Sequence, residues 1–377
     1  MQYSAYDFMC KPCILVFIMG RKLKVAILFG GKSAEHEVSL QSAKNVSDFI
    51  DKNKYEPVLI GIDKSGRWFS GGDNGDAGNN ASSFLLNTDD PRRICLNPSG
   101  SPVALLPQID GVDAVFPILH GPFGEDGTVQ GLLKLADLPF VGAGVLASAV
   151  GMDKDVMKRL LRDAGLPIGK FRALSYEEKV PDFDEVSAAL GLPLFVKPAN
   201  MGSSVGVSKV RTKDEFLASL ATAFEYDTKV MIEEFIPGRE IECSVLGSPA
   251  DAAASIPGEI KPRREFYSYE AKYIDEHGAE LIIPAALPAE TVKHAQELSL
   301  AVFKTLCCDG LARVDFFLKD DGSLFINELN TMPGFTRISM YPKLWEASGI
   351  SYTKLIDRLI ELAVLRFQRE KKLKTSV

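Results

Sequence analysis

Lys24 to Phe29 (KVAILF) is an apolar run that stops at Gly30-Gly31. Beyond it Ala43, Val46, Phe49 and Ile50 recur at helical spacing, and a second apolar run follows at Pro57 to Ile62 (PVLIGI). Two strands separated by a helix cannot be a hairpin; they form a βαβ unit, and the sheet they start is parallel. Val112 to Leu119 (VDAVFPIL) reads as a further strand, running into His120-Gly121 and Gly124-Glu125-Asp126-Gly127. That polar cluster sits where open α/β sheets place ligand sites, at strand ends. Gly30-Gly31 does not complete the G-x-G-x-x-G fingerprint, because Ser33, Glu35 and His36 follow. This counts against a nicotinamide oxidoreductase.

A chain of 377 residues holds two to three domains at roughly 100 to 200 residues each. With 46% apolar and 25% charged residues and a mean hydropathy of +0.03, it is of ordinary soluble composition, and no run approaches the roughly 20 apolar residues of a membrane span. The net charge of −7 counts against nucleic acid and favours a small-molecule partner. Six cysteines without a repeated spacing fit a reducing, cytoplasmic setting; Cys10 and Cys13 form a CxxC with no second pair to complete a zinc site. Cys13 to Met19 is a minimal apolar run followed by Arg21, Lys22 and Lys24, where a signal peptide needs small residues. Residues 1–20 are therefore expected to be a flexible N-terminal extension.

The composition shifts near Val141-Gly142-Ala143-Gly144. A helix is expected over Met152 to Ala164, stopped by Gly165-Leu166-Pro167, and a solvated loop over Ser70 to Ser83. Pro193 to Lys197, Val207 to Val210 and Lys229 to Phe235 are short strands with hairpin-like connections, which points to an antiparallel layer. Leu311 to Leu318 and Ser323 to Glu328 continue as strands. Tyr352 to Gln368 is an amphipathic helix, with Arg369 to Lys374 as its solvated basic end.

Three segments carry chemistry. Side chains alternate along a strand, so Arg313 shares a face with Asp315, and Glu328 with Asn330. Hard oxygen ligands beside a guanidinium suit a divalent cation on nucleotide phosphates, and apolar flanks argue against a plain surface salt-bridge cluster. Lys197 to Val207 (KPANMGSSVGV) offers small residues, the hydroxyls of Ser203 and Ser204, and a cation; it lacks the P-loop pattern and reads as a hairpin lid. Glu233-Glu234-Phe235-Ile236, with Glu240 beyond, can present backbone to an adenine edge and an acid to a ribose, although a Glu-Glu pair alone is more often surface.

In this order GGKSAEHEVSL (30–40), LHGPFGEDGTVQGLL (119–133), GMDKD (151–155), VKPANMGSSVGV (196–207), EFYSYEAKY (265–273), ARVDFF (312–317) and INELNTMPGFTRISMYP (326–342) resemble the D-alanine–D-alanine ligases of the ATP-grasp superfamily. The resemblance implies an α/β (α+β) protein: an ATP-grasp fold with an N-terminal Rossmann-like parallel-sheet domain at 21–142, a central subdomain at 143–236 and a C-terminal subdomain at 237–377. It implies ATP and D-alanine as substrates, two Mg²⁺ (or Mn²⁺) ions, a homodimer, and a D-alanyl phosphate intermediate. Glu35 would hold the first D-alanine's ammonium near His120, with Ser203 and Tyr273 tying loops over the substrates. Arg313 and the Gly334 backbone would stabilise the oxyanion, and Ser339 with Met340 would take the second D-alanine's carboxylate. Lys154, Lys197 and Lys272 would bind phosphates, Ser203 and Ser204 would line the ATP site, Glu233 to Ile236 would bind adenine and Glu240 the ribose. Asp315, Glu328 and Asn330 would ligate the metals. Tyr273 implies D-alanine as the nucleophile, since depsipeptide-forming relatives that take D-lactate carry a histidine-containing loop. Another ATP-grasp carboxylate-amine ligase is the nearest alternative, and a non-catalytic ATP-binding scaffold a more distant one.

Overall fold

The computed structural model describes residues 21–70, 93–94, 111–262 and 279–374. The N-terminal extension, the Cys10–Cys13 pair, Cys95, nearly all of the 70–83 loop, Lys272 and Tyr273 lie outside the described residues.

β1 (Leu23–Gly30) is apolar on both faces and almost wholly buried, as a strand in a covered parallel sheet must be. Helix α1 (His36–Phe49) crosses over it and buries Leu40, Ala43 and Val46, and the chain returns as β2 (Tyr55–Ile62), parallel to β1 with Leu23 opposite Tyr55. β3 (Trp68–Ser70) and β4 (Arg93–Ile94) extend the sheet antiparallel, and β5 (Ala114–Pro117) pairs parallel on the other side of β1, giving the order β4-β3-β2-β1-β5. The strand expected over 112–119 is thus shorter: its ladder ends at Pro117, which has no amide proton, and residues 118–120 turn toward the site.

Helices α2 (Thr128–Leu135), α3 (Val145–Met152) and α4 (Lys154–Asp163) follow. The single helix expected over 152–164 therefore starts later. Asp153 is extended (φ −80°, ψ 98°) and its carboxylate accepts from the amides of Asp155 and Val156, capping α4. α3 was not legible because its small apolar residues give no polar face.

The second sheet comprises β6 (Phe171–Ser175), β7 (Leu194–Pro198), β8 (Ser208–Val210) and β9 (Lys229–Glu234), in the order β6-β9-β7-β8 with every pair antiparallel. Helices α5 (Phe183–Leu190) and α6 (Lys213–Phe224) supply Val186, Phe216 and Leu220 to its core. Thr212 and Glu215 close a capping box on α6.

The third sheet is antiparallel: β10 (Arg239–Gly247), β11 (Ala253–Ala254), β12 (Gly258–Pro262), β13 (Ala279–Ile282), β14 (Gly310–Leu318) and β15 (Leu324–Asn330), with β13-β12-β10-β14-β15 in sequence across it and β11 paired to β10. Helix α7 (Ala289–Thr305) covers one face. Helices α8 (Met340–Ala347) and α9 (Tyr352–Glu370) cross back, and Tyr341, Trp345, Leu355, Leu359 and Leu362 join β1, α1 and β5 residues in one core. The basic end of α9 is exposed as expected, and two of its cations also pair: Arg369 reaches the buried Asp309 at 3.0 Å, and Lys371 makes an exposed pair with Asp137 at 2.5 Å that contributes little stability. Among the described residues no helix is long and apolar enough to cross a membrane.

Buried Arg366 of α9 donates to the carbonyls of Gly142 and Phe140, the latter at 2.7 Å, and its guanidinium lies 4.4 Å from the centre of the Phe140 ring. Arg366→Met leaves two buried carbonyls without that donor, so urea denaturation is expected to show a loss of about 2–4 kcal/mol. A loss below about 0.5 kcal/mol, within the range of ordinary surface substitutions, contradicts this role.

Candidate active site

The alternation on β14 puts Ala312, Val314 and Phe316 into the core and Arg313 and Asp315 on the opposite face. Register then makes two rows. Glu242, Asp315 and Glu328 lie side by side on β10, β14 and β15, and Ser244, Arg313 and Asn330 lie beside them. The ladder between β14 and β15 shifts register just after Asp315. Arg313 Nε donates to Asp315 Oδ1 and Nη2 to Oδ2, both at 2.7 Å, while Nε lies 2.9 Å from Glu242 Oε2. Asn330 Nδ2 donates to Asp315 Oδ2 at 2.9 Å, which leaves its amide oxygen for another partner. Burial alone would weaken the Arg313 proton, but Asp315 and Glu242 outweigh it and hold the charge firmly.

Asp315, Glu328 and Asn330, expected as metal ligands, are thus brought together. Carboxylates directly opposite one another repel, and Arg313 with Lys154, 3.5 Å from Glu328, does not cancel the row. Hard oxygen donors carrying residual negative charge fit Mg²⁺, which takes few protein ligands and fills its shell with water and phosphate oxygens. Among the described residues no three His, Cys, Asp or Glu side chains are gathered as a ready-made metal cage.

Glu35 lies in the turn before α1, with its backbone amide held by Ser33 Oγ. Its Oε1 accepts from Ser203 Oγ at 2.5 Å, joining the first sheet to the hairpin between β7 and β8. A side chain at Gly202 would come within 3.1 Å of Glu35 Oε2, and one at Gly121 within 3.2 Å, so both glycines make room for this carboxylate. Ser203 and Ser204 both have left-handed backbones (φ 53° and 60°), a strained tip of the kind found in binding loops. Lys154 Nζ donates to the Met201 carbonyl at 2.7 Å and steadies the same tip.

Behind the hairpin Glu233 is buried, not on the surface that a Glu-Glu pair alone suggests. Its carboxylate is shared by Lys197 (2.8 Å) and Lys158 of α4 (3.1 Å). Burial would raise its pKa, but the two ammonium groups reverse this and pull it down to about 2. Lys158 is shifted down by burial, with Lys197 repelling it: one carboxylate satisfies neither ammonium fully. Glu234 Oε1 accepts from the Lys170 amide at 2.6 Å, and the half-exposed Phe235 packs 6.0 Å from the Phe195 ring. Glu240 sits on β10 in register with Phe317, two residues before Glu242.

After β15 the chain turns through Met332, Gly334 and Phe335 to Ser339, the N-cap residue of α8. Ser339 Oγ accepts from the Thr336 amide at 2.9 Å, and a side chain at Gly334 would strike it at 2.8 Å. Gly334 and Ser339 are therefore adjacent, with buried Met340 opening the helix whose amides favour an anion. His120 is buried near Glu35 and is shifted down by burial, partly offset by that carboxylate.

Lys158, Glu242 and Glu125 were missed in the sequence as site residues. Lys158 is four residues after Lys154, one helical turn on, and Glu242 is two after Glu240, so both periods were available signals. Glu125 stood in a polar turn without a partner to reveal it. Burial, and then the Glu35 charge, push its carboxyl up to about 8.

Residues 24–143 match the family model described as D-ala D-ala ligase N-terminus, and residues 160–361 the one described as D-ala D-ala ligase C-terminus. The chain belongs to the D-alanine–D-alanine ligase family. The first match takes in the five strands of the first sheet and runs on past α2, and the second spans both antiparallel sheets, the ATP-grasp pair. Among its relatives the D-alanine–D-alanine ligase of Oceanobacillus iheyensis is 53% identical over 370 residues, 94% of this chain and 99% of the relative. The D-Ala:D-Ser ligase VanG from Enterococcus faecalis superposes with a TM-score of 0.79 at 37% identity, covering 91% of this chain and 100% of that one. The Bacillus anthracis D-alanine–D-alanine ligase complexed with ATP superposes at 0.71 with 32% identity, covering 92% and 99%.

Glu233 gives this site a pH signature. The unfolded carboxyl takes up its proton near pH 4.5, the folded one only near pH 2, so the stability it contributes is present above pH 4.5 and drains away as pH falls between those values. The stability gap between wild type and Glu233→Gln is therefore expected to be about 1 kcal/mol smaller at pH 4 than at pH 6.5. Urea titrations of both proteins at the two pH values check this; a gap that widens on acidification contradicts it.

Proposed function

We propose that this chain joins two D-alanine molecules into D-alanyl-D-alanine with cleavage of ATP to ADP and phosphate, for peptidoglycan precursor synthesis. The observation that carries the reading is Arg313, held between Asp315 and Glu242 on the sheet face that also bears Glu328 and Asn330.

Glu35 holds the ammonium of the first D-alanine beside His120. The carboxylate oxygen of that first D-alanine forms a bond to the γ-phosphorus as the bond to the ADP leaving oxygen breaks, giving a D-alanyl phosphate. Lys154, Lys197 and Lys272 neutralise phosphate charge, and phosphoryl transfer asks mainly for such positioning and neutralisation. Ser203, Ser204 and Tyr273 close loops that keep water from the acyl phosphate. Glu233, Glu234, Phe235 and Ile236 receive adenine, and Glu240 the ribose. Ser339 and Met340 take the carboxylate of the second D-alanine, whose amine attacks the acyl carbon. Arg313 and the Gly334 amide stabilise the tetrahedral oxyanion, and phosphate leaves as the amine gives up a proton. Asp315, Glu328 and Asn330 would hold two Mg²⁺ ions, which neutralise phosphate charge when bound.

We assign residues 21–142 to the first-substrate domain, 143–236 to the central lid domain and 237–377 to the metal and oxyanion domain, working as a homodimer in the cytoplasm. The −7 charge and the reduced-state cysteine usage support that setting.

D-Serine as second substrate is the competing reading, favoured by the likeness to VanG. The higher identity to a D-alanine–D-alanine ligase and Tyr273 in the substrate loop support D-alanine. With ATP and equal concentrations of D-alanine, D-serine and D-lactate near neutral pH, D-alanyl-D-alanine is expected to predominate. Predominant D-alanyl-D-serine or depsipeptide overturns the assignment. Arg313→Met is expected to lower turnover by roughly two orders of magnitude or more, as loss of an oxyanion donor does, and wild-type turnover in that variant removes Arg313 from the mechanism.

A further inference from the structure

Both polar groups of one peptide segment in the 331–336 turn are gripped by side chains from the turn after β5. The Met332 amide donates to Glu125 Oε1 at 3.2 Å, and the Met332 carbonyl lies 3.0 Å from His120 Nδ1. A carbonyl only accepts, so His120 carries its proton on Nδ1 and, when neutral, leaves Nε2 as an acceptor. Ser42 Oγ of α1 lies 3.5 Å from that Nε2 and itself accepts from the Phe335 amide at 3.2 Å. Glu125 Oε2 takes the Gly121 amide at 2.7 Å, which ties the carboxyl back to the residue after His120. The bonds therefore run one way from the Phe335 amide through Ser42 and His120 to Met332, a ring closed by the 332–335 backbone, and on to Glu125, which also accepts from Gly121 on its other oxygen. The Phe335 carbonyl is fixed separately by Asn45 Nδ2 at 3.2 Å and by the Tyr352 hydroxyl.

We propose that Glu125 is a positioning residue for the second substrate: with His120 and Ser42 it clamps Met332 and Phe335, and so sets where Gly334 and Ser339 stand relative to Glu35. Gly334 lies between the two clamped residues, and its close approach to Ser339 carries the constraint to the start of α8. Glu125 touches neither substrate in this account; it acts through the backbone of a loop more than 200 residues later in the chain. Each oxygen of the Glu125 side chain accepts one amide, whereas glutamine sets an amino group that only donates against one of the two.

This inference rests on the ligase reading, and the test separates the two. In wild-type enzyme the rate against D-alanine concentration gives a KM for each D-alanine site, and absence of any D-alanine-dependent turnover would defeat the ligase reading itself. Given that turnover, Glu125→Gln is expected to raise the KM of the second D-alanine about tenfold, the effect of one lost positioned hydrogen bond, and to leave the KM of the first D-alanine and of ATP within about twofold. Ser42→Ala, which opens the ring from the other side, is expected to shift the same KM in the same direction and serves if the Glu125 variant does not fold. An unchanged second-site KM, with or without a fall in kcat or stability, overturns the clamp, as does an equal rise in all three KM values.

Discussion

Phe335 lies fully buried where the parallel sheet meets the C-terminal helices, its ring 5.6 Å from Phe116 of β5, 5.5 Å from Tyr341 of α8 and 6.1 Å from Tyr352 of α9. Everything the site does depends on this junction. Glu35 and His120 come from the first sheet, Arg313 and Asp315 from the third, and no local element joins them. Apolar burial holds the two bodies together but is not directional. Direction comes from polar groups around the same ring: Ser42 and Asn45 on α1 bond the Phe335 backbone, and Arg366 pins the strand exit at Phe140 and Gly142.

The charge arrangement follows from what that junction brings into one cleft. Glu35, Glu125, Glu242, Asp315, Glu328 and Glu233 are all wholly or largely withdrawn from solvent, and each has found a different accommodation. Glu233 is ionised between two lysines. Asp315 and Glu242 share a guanidinium. Glu35 receives a serine hydroxyl, and Glu125, held by two backbone amides, has its proton affinity raised by burial and by the Glu35 charge. Net negative charge inside a protein is expensive, and retaining it beside several lysines makes sense where a polyphosphate and cations are to be received.

Much of this was legible in the sequence, for periodic reasons. The run, helix and run of residues 24–62 forced a parallel pair, and alternation placed Arg313 with Asp315 and Glu328 with Asn330 on one face, as the register of β14 and β15 has them. The 202–206 turn joins β7 and β8 as an antiparallel pair, as the short strands on either side implied, and its Ser203 bonds Glu35. What was not legible depends on partners distant in the chain. β10 escaped notice because its charged residues Arg239, Glu240 and Glu242 break the look of a strand. The helix start at Asp153 turned on a cap that outweighed the run of helix formers. Glu125 is an ordinary turn acid until residue 332 is brought to it.

If these residues form a site that activates and ligates D-alanine, phosphate release from ATP must depend on that amino acid. Purified full-length chain with ATP and Mg²⁺ is expected to release phosphate when D-alanine is added and to stay at background with L-alanine. Phosphate release that does not depend on D-alanine, or that L-alanine supports equally, contradicts it.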